Sequence, residues 1–387
     1  MTAIFHRQER RGRTANPNVL ALLALLTVVS SCGFLSLAQA QPNYDAPLEV
    51  YVQRAPPNAE AGIARLFFVD PVTGAAVTAD VRGDRFTIVG GYVLFQDTAS
   101  GTVSRAWPDG SVEPHPFIQP AAATARIDWV VSPDGQWIAW TRTDRTPDGQ
   151  LTTLTTLARA GGGDQRVLLQ DGPDAFLHIV PLALTNDGAF FFDRQPGGLG
   201  GFFFYPQYAD VHRLRPGQST PERLPFEPNC FCAAALSTDG QYFVRLEQAS
   251  DSGGFDARVW DLAADVDTFA PTIAPPYALA GAALVSAEGE RVVYSLANNV
   301  TLDSAGSGRE RFMLAVVETK EGVQRPLLET PLDRPLLPLA WTDDGHGVLL
   351  YNPRRDGTWK LDLDTGEVRQ VASATLVGIL RTQAAYQ

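Results

Sequence analysis

The sequence is poor in cysteine and in lysine. Among its 387 residues are three cysteines and only two lysines, so nearly all of the 31 basic residues are arginines. With so few cysteines a structural zinc site is not expected, because such a site takes four Cys or His ligands. Acidic residues outnumber basic ones by 43 to 31, which gives a formal net charge of -12. A chain of this charge repels a phosphate backbone, so nucleic acid is excluded as the expected partner.

Sequence motifs of catalysis are also lacking. The chain contains no Gly-x-Ser-x-Gly, no His-Glu-x-x-His and no Gly-x-x-x-x-Gly-Lys that would cradle a phosphate. We therefore assign no catalytic residue, no metal ligand and no cofactor, and we expect a protein that is not an enzyme. The chain contains five histidines that could have acted in catalysis or metal binding, and these are His6, His115, His178, His212 and His346.

The first 40 residues have the layout of an export signal. Several arginines within residues 7–13 precede an apolar run from Val19 to Leu37. Ala38-Gln39-Ala40 fits cleavage before Gln41, whereas Val29-Ser30-Ser31-Cys32 is similar to a bacterial lipoprotein box in which Cys32 would carry the lipid. An uncleaved anchor is the third interpretation, because a run of this length nearly spans a bilayer. Each interpretation predicts that residues 41–387 are exported and are extracellular, periplasmic or membrane-anchored facing outward.

Residues 41–387 repeat one pattern, an apolar run, then Ser or Thr, any residue, Asp and Gly, then a second apolar run. Asp-Gly between two apolar runs predicts a β-hairpin, because the tight turn needs φ > 0 and glycine adopts it without steric cost. The glycines lie 44 to 56 residues apart, and a period near 50 is typical of propeller blades. The copies contain Gly135, Gly188, Gly240, Gly289 and Gly345, with a degenerate copy at Gly90-Gly91.

The spacing predicts an all-β fold, a single β-propeller of four-stranded blades. A second hairpin follows each of these first hairpins, so one period holds four strands. Six first hairpins and seven second hairpins are present, and the unassigned strands Leu48–Gln53 and Ala374–Leu380 would complete the missing one. We therefore expect seven blades, with six as the alternative, closed by pairing of the N- and C-terminal strands. Such closure removes free sheet edges.

One copy of the repeat carries a specific resemblance. Ser132-Pro133-Asp134-Gly135-Gln136-Trp137-Ile138-Ala139-Trp140 resembles the Ser-Pro-Asp-Gly repeat of TolB-like propellers, and related repeats occur in the propeller domains of dipeptidyl-peptidase IV-type enzymes. The copies at Ala287-Glu288-Gly289 and Gly90-Gly91 depart from the pattern. The resemblance implies a rigid scaffold for binding a protein or a ligand, and it implies no reaction.

Binding is expected on the loops that join the second strand of a blade to the third. These loops vary in length, whereas the Asp-Gly turns of the opposite face are short. The Gly-rich aromatic segment 197–208 is either a binding lip over the central channel or core packing with a glycine linker. Loop acids could bind Ca²⁺ across the channel mouth or be solvated charge. The candidate binding residues are Phe202, Phe203, Tyr205, Tyr208, Asp144, Asp251 and Asp303.

The remaining cysteines, Cys230 and Cys232, allow two interpretations. In an oxidising compartment they could form a disulfide. Their spacing of two on a strand would set the Cα atoms about 7 Å apart, which is marginal for that bond. The bonded and the reduced states both stay open at this point.

Three functions remain open from the sequence. The first is a non-enzymatic, monomeric scaffold at the cell envelope that binds a protein or glycan partner and touches the membrane only through its N-terminal segment. The second is a propeller-type glycoside hydrolase or lyase with loop carboxylates as acid and base. The third is a sensor that binds a small ligand in the central channel.

Overall fold

A computed structural model describes residues 46–196, 205–225, 232–249, 254–272, 277–298 and 310–381. These residues form 28 β-strands and no helix. The strands make seven four-stranded antiparallel sheets arranged in a ring. The predicted seven-bladed propeller is therefore confirmed, and the six-bladed alternative was wrong.

The blades are numbered along the chain, and the strands of each are given from the centre of the ring outward. Blade I contains β28 (Thr375–Leu380), β1 (Leu48–Gln53), β2 (Ala64–Val69) and β3 (Ala76–Val81). Blade II contains β4 (Gly83–Val89), β5 (Tyr92–Asp97), β6 (Val103–Ala106) and β7 (Val112–Pro114). Blade III contains β8 (Thr124–Val131), β9 (Trp137–Arg145), β10 (Leu151–Arg159) and β11 (Arg166–Asp174). Blade IV contains β12 (Leu177–Leu184), β13 (Phe190–Pro196), β14 (Val211–Leu214) and β15 (Glu222–Arg223).

The other three blades follow the same plan. Blade V contains β16 (Ala233–Leu236), β17 (Tyr242–Gln248), β18 (Phe255–Asp261) and β19 (Val266–Ala270). Blade VI contains β20 (Leu279–Val285), β21 (Arg291–Asn298), β22 (Arg311–Glu318) and β23 (Val323–Pro326). Blade VII contains β24 (Leu337–Trp341), β25 (Gly347–Asn352), β26 (Arg355–Asp362) and β27 (Val368–Ala372). The first strand of each blade is its inner strand. Inner strands meet at the centre, where β28 contacts β4 and β16 contacts β20.

Both ends of the chain build the closing blade, as the strand count predicted. β28 is the inner strand of blade I and pairs antiparallel with β1, from Leu48 opposite Leu380 to Val52 opposite Thr375. The side chains of Leu48 and Leu380 are fully buried. The ring is thus closed by hydrogen bonds between its two termini rather than by a covalent loop.

The Asp-Gly turns fold through a repeated set of hydrogen bonds. In blade III the Ser132 hydroxyl donates to Asp134 at 2.5 Å and accepts the Trp137 N–H at 2.9 Å, while Gly135 takes a φ of 71°. Blade V repeats the arrangement from Ser237. The serine and aspartate side chains of the repeat therefore make their hydrogen bonds within the turn itself.

Glycine in these turns also sets the distance between neighbouring blades. Gly240 of blade V has a φ of +71°, and a Cβ built on it would lie 2.3 Å from Thr185 Cγ2 and 3.2 Å from the Phe191 ring of blade IV. Gly289 of blade VI lies equally close to the Tyr242 ring of blade V. The turn of one blade thus packs against the preceding blade, which is a second requirement for glycine beyond the hairpin itself.

Gly240→Ala is expected to lower the free energy of unfolding by more than Gly101→Ala. Gly101 has nearly the same φ, +72°, but nothing lies within 4 Å of its Cβ position. Gly101→Ala therefore isolates the backbone cost, about 1–2 kcal/mol, whereas Gly240→Ala adds overpacking of about 1–3 kcal/mol. Urea unfolding measures both variants, and equal losses would contradict the role of Gly240 between blades.

A buried histidine joins blades II and III. His115 is 1 % exposed; its Nδ1 accepts the Ile118 N–H at 3.2 Å, and its Nε2 lies 3.0 Å from the Tyr92 hydroxyl. That hydroxyl donates to the Ala160 carbonyl of blade III. These bonds require a neutral imidazole with its proton on Nε2. Burial, followed by the nearby Arg105 charge, lowers the pKa of His115 to about 4.

Acid is therefore expected to destabilise the protein through His115. Because the folded pKa lies below the unfolded value of 6.5, the stabilisation is fully present above about pH 6.5 and is lost as the pH falls towards 4. A shift of this size corresponds to about 3 kcal/mol. Urea unfolding between pH 7 and pH 4 should show the stability advantage of wild type over His115→Gln shrinking by this order. His346→Gln, at an exposed turn, controls for removal of a histidine, and parallel profiles for wild type and His115→Gln would refute the assignment.

Six of the seven inner strands carry a β-bulge. Their register with the second strand shifts by one residue in β28, β4, β8, β12, β20 and β24. A bulge bends the strand and re-aims a side chain. The bulge of β4 contains Arg85 at a φ of 57°, and that of β20 contains Ala282 at a φ of 50°. Both residues belong to the site described next.

Candidate functional site

The loop face of the propeller carries the connections from second to third strands and the connections between blades. The inner strands start at this face and run towards the Asp-Gly turns on the opposite face. Three of the predicted binding residues, Tyr205, Tyr208 and Asp144, lie in the described part of the chain. Those that lie outside the described residues are Phe202, Phe203, Asp251 and Asp303, together with the lipidation candidate Cys32.

Tyr205 is buried between blades VI and VII. Its side chain is 2 % exposed and packs with Ala297, Phe312 and Leu337. Gly281 of β20 makes room for it, because a Cβ at that position would lie 2.2 Å from Tyr205 Cβ. Burial also raises the pKa of the Tyr205 hydroxyl. A side chain this buried anchors its loop and does not present a surface to a ligand.

Residues 205–208 run over the loop-face ends of the inner strands of blades V and VI, at the mouth of the channel, and we call them the crossing segment. They belong to the connection between β13 and β14 in blade IV, yet Tyr205 packs on blades VI and VII. The Gln207 side-chain amide donates to the Ala280 carbonyl of blade VI at 3.2 Å. Tyr208 forms an isolated β-bridge with Cys232 beside blade V, with N···O distances of 2.9 and 3.1 Å.

Asp193 fixes the return of the crossing segment into β14. Its carboxylate is fully buried and accepts the backbone N–H groups of Ala209 at 3.1 Å and Asp210 at 2.6 Å. Burial raises the pKa of Asp193 even though these two bonds lower it. The position of Tyr208 therefore depends on a buried carboxylate that is used structurally.

Cys232 is disulfide-bonded. The other two cysteines of the chain, Cys32 and Cys230, lie outside the described residues. The bonded state of Cys232 is therefore found, where the sequence left both states open. Because Cys232 forms the bridge to Tyr208, the disulfide lies directly beside the crossing segment.

Asp144 is engaged in hydrogen bonds within blade III. One carboxylate oxygen accepts the Thr124 hydroxyl at 2.7 Å, and the other accepts Arg142 Nε at 2.9 Å. Thr124 opens the inner strand β8, so these bonds tie the end of β9 to the loop-face end of β8. Asp144 thus has a structural role that the sequence did not indicate.

Blades II and III bring three charged side chains together near the same mouth, and we call Arg85, Arg126 and Asp128 the charged cluster. Asp128, which is 4 % exposed, accepts Arg85 Nη2 at 2.8 Å on one oxygen and Arg126 Nε on the other. Arg85 Nη1 also donates to the Ile127 carbonyl at 2.5 Å, and the guanidinium lies 4.3 Å from the centre of the Trp129 ring. Two arginines share one carboxylate, so the cluster is net positive.

His178 of β12 borders the charged cluster from blade IV. The side chain is buried, and its Nδ1 has no hydrogen-bond partner among the described residues. Burial first, and then the charge of Arg126, lower the pKa of His178, which favours the neutral ring. A buried polar atom without a partner is unusual in a folded protein, and here it lies next to partly exposed arginines.

A cavity of about 280 Å³ lies beneath the crossing segment, between the inner strands of blades IV, V and VI. Small residues leave this space, and bulges in β12 and β20 contribute Leu182, Ala282 and Ala283 to its wall. Pro206 and Tyr208 of the crossing segment complete the lining. We call the charged cluster, His178 and this cavity together the channel-mouth site.

The channel-mouth site was not predicted from the sequence. The signal that could have indicated it is the position of Arg85, Arg126 and His178, each at the second or third residue of an inner strand. The inner strands of blades I, V, VI and VII contain no ionisable residue, so ionisable residues near the loop-face ends of β4, β8 and β12 are exceptional.

The described ranges contain no group of three or more His, Cys, Asp or Glu side chains placed to bind a metal ion. Of the loop acids considered for Ca²⁺, Asp144 is engaged in blade III, Asp193 and Asp256 accept backbone N–H groups, and Asp251 and Asp303 lie outside those ranges. Nor does any helix in this part of the chain have the length and apolar character needed to cross a membrane.

Comparison with known proteins addresses the fold. No model of a protein family matches the chain, and a search of curated proteins also finds no match. Among solved structures, a prolyl endopeptidase structure has a TM-score of 0.57 at 14% identity and matches 88% of this chain. TolB from Acinetobacter baumannii has a TM-score of 0.42 at 18% identity over 75% of this chain, and a putative TolB from Agrobacterium tumefaciens has 0.40 at 13% over 85%.

This chain spans 51% of the prolyl endopeptidase chain, 65% of the Acinetobacter TolB and 91% of the Agrobacterium protein. It therefore covers less than two thirds of the length of two of the three. At these identities the likeness concerns the fold alone. The seven four-stranded blades identify the fold as a seven-bladed β-propeller, and the Ser-Pro-Asp-Gly turn of blade III resembles the repeat of TolB-like propellers.

Proposed function

We propose that this protein is an exported, non-catalytic scaffold that holds an extended segment of a protein partner in its channel mouth. The observation that carries the proposal is the position of a net positive cluster near a cavity whose wall is formed mainly by alanine and leucine side chains, on one rigid ring. The basic start and apolar run of the first 40 residues support export to the cell envelope.

The exposed side of the charged cluster is cationic. The side chains of Arg85 and Arg126 are 36% and 47% exposed, whereas that of Asp128 is only 6% exposed. A partner therefore meets guanidinium groups, with their shared carboxylate beneath them. Guanidinium groups bind carboxylates through paired N–H donors, so an acidic side chain or a chain-terminal carboxylate is the group that fits.

The distance between the cluster and the cavity suits an extended peptide. His178 beside the cluster and Leu182 in the cavity wall are four residues apart on β12, about 13 Å along a strand. A peptide with an acidic residue at one end and an apolar side chain about four residues away would reach both. The cavity of about 280 Å³ has room for one such side chain.

Three carboxylates near the mouth are engaged by the protein itself, which favours a binding role over hydrolysis at these residues. Asp144 bonds to Thr124 and Arg142, Asp193 bonds to two backbone N–H groups, and Asp128 bonds to two arginines. A glycosidase needs a pair of carboxyl groups that face the substrate. These three carboxylates face the protein.

Arg126→Gln tests the proposal, with Arg325→Gln on the outer strand of blade VI as the matched control. Both arginine side chains are 47% exposed and paired with an acid. Wild type and both variants are used to capture partners from a cell-envelope extract, and the bound proteins are quantified by mass spectrometry. Loss of a charge-assisted bond corresponds to about tenfold weaker binding, so a specific partner should fall about tenfold with Arg126→Gln only.

The outcome also separates a protein from a glycan. Protease digestion of the extract should abolish capture, whereas periodate oxidation of sugars should leave it unchanged. Equal capture by wild type and Arg126→Gln, or capture that survives proteolysis, would overturn the proposal.

A further inference from the structure

A second cavity lies on the opposite face of the ring, between blades II and III. It measures about 450 Å³ and is lined by Gly90, Gly91, Tyr92, Arg105, Trp107 and Arg159, among others. All of these belong to turns or strand ends on the Asp-Gly face, whereas the sequence led us to expect binding on the loop face. Small-molecule pockets fall between about 300 and 1,000 Å³.

The cavity exists because one copy of the repeat is degenerate. In blade II, Val89 pairs directly with Tyr92 across Gly90-Gly91. The neighbouring blade III fills the equivalent place with Ser132 and Asp134, whose side chains bond to each other and to the backbone. Without such side chains, blade II leaves open space above Tyr92 and beside blade III.

Two stacked arginines line this space. The Arg105 guanidinium lies 5.0 Å from the centre of the Trp107 ring and 5.7 Å from that of Tyr92. Arg159 lies 3.8 Å from the centre of the Trp137 ring, and its Nη1 donates to the Gln136 amide oxygen at 3.0 Å. Stacking holds a planar guanidinium by its faces and leaves its N–H edges for a ligand.

The present hydrogen bonds do not use all of these donors. Arg105 Nη2 lies 2.8 Å from Glu113, and the Arg105 side chain is 20% exposed, so part of the guanidinium edge stays accessible. Arg159 Nε lies 3.5 Å from Asp164. The two acids are 48% and 65% exposed; Asp164 can turn to solvent when a ligand carboxylate takes its place, while Glu113 also accepts the Trp107 Nε1–H at 2.8 Å.

We propose that this cavity binds a small organic carboxylate with a flat apolar body. The carboxylate would accept from Arg105 and Arg159, and the apolar body would lie against Tyr92 and Trp107. The glycines at positions 90 and 91 allow it to approach the backbone closely. This site is separate from the channel mouth and does not depend on the function proposed there.

The test uses 3-phenylpropionate as the probe and the full-length folded protein, with binding measured by calorimetry. 3-Phenylpropionamide has the same body without the charge, and inorganic phosphate has the charge without the body. The variants are Arg105→Gln and Arg159→Gln. Arg166→Gln is the matched control, because Arg166 also lies over the Trp137 ring, at 5.6 Å, but does not line the cavity.

We expect saturable binding of one 3-phenylpropionate per chain, weakened at least about tenfold in each cavity variant and unchanged in Arg166→Gln. Wild type should bind 3-phenylpropionamide and inorganic phosphate at least about tenfold more weakly than it binds 3-phenylpropionate. No binding of the probe by wild type, equal binding of the amide or of phosphate, or unchanged affinity in Arg159→Gln would overturn the proposal. Arg159 is 43% exposed, so its variant remains decisive even if Arg105→Gln does not fold.

Discussion

Removal of residues 375–387 is expected to abolish cooperative folding. These residues contain β28, which is the inner strand of blade I and contacts β4 of blade II. Without β28, the ring opens between blades I and VII, and β1 becomes an unpaired edge that invites aggregation. Circular dichroism during urea unfolding should show no single sharp transition, and size-exclusion chromatography should show aggregates.

Removal of residues 382–387 alone is the control, because β28 remains and the transition should match the wild type. A synthetic peptide of residues 375–387, added to the truncated chain, should restore the transition. If the chain ending at Ala374 unfolds in one step at the wild-type urea midpoint, the terminal strands do not close the ring.

Tyr205→Ala is expected to lower the free energy of unfolding by about 3–5 kcal/mol, the usual cost of deleting a buried aromatic side chain. The ring of Tyr205 holds the crossing segment against blades VI and VII. Its loss should release residues 205–208 from the channel mouth. Urea unfolding measures the first effect, and faster hydrogen exchange at Tyr208 and Cys232, whose N–H groups form the bridge, reports the second.

Two control variants test whether the loss of stability comes from removing the buried ring. Tyr205→Phe keeps the ring and should stay within about 1 kcal/mol of wild type, since a single hydroxyl contributes little net stability. Phe176→Ala removes an aromatic side chain that is 73% exposed and should cost little. A Tyr205→Ala variant no less stable than Phe176→Ala would show that the crossing segment is not anchored by this ring.

The sequence was sufficient for the architecture because the repeat is a local signal. The bonds made by the serine and aspartate side chains of the repeat join residues at most five positions apart, as between Ser132 and Trp137. Such a turn has the same sequence pattern in every blade, and the spacing between successive turns gives the number of residues in a blade. Closure by Leu48–Gln53 and Ala374–Leu380 followed from counting hairpins, and the structure pairs Leu48 with Leu380.

The channel-mouth site could not be predicted in the same way, because it depends on contacts between blades. Arg85 and Asp128 are 43 residues apart in sequence and meet only when blades II and III lie side by side. The alternation of apolar and polar residues does not predict the β-bulge that contains Arg85. The place of Tyr205 follows from tertiary packing on blades VI and VII, which no pattern within its own loop indicates.

The position of the first described strand also decides how the molecule would be oriented at a surface. The chain enters blade I at Leu48, opposite Leu380, at the end of the ring that carries the Asp-Gly turns. A tether through the N-terminal residues would therefore hold this end towards the lipid and turn the crossing segment outward. Residues 41–387 carry a net charge of about -15, because four arginines and one glutamate of the full chain, whose net charge is -12, lie in residues 1–40, and repulsion from an anionic leaflet would keep the propeller clear of the bilayer. A partner would then approach from the aqueous side without competing with the headgroups.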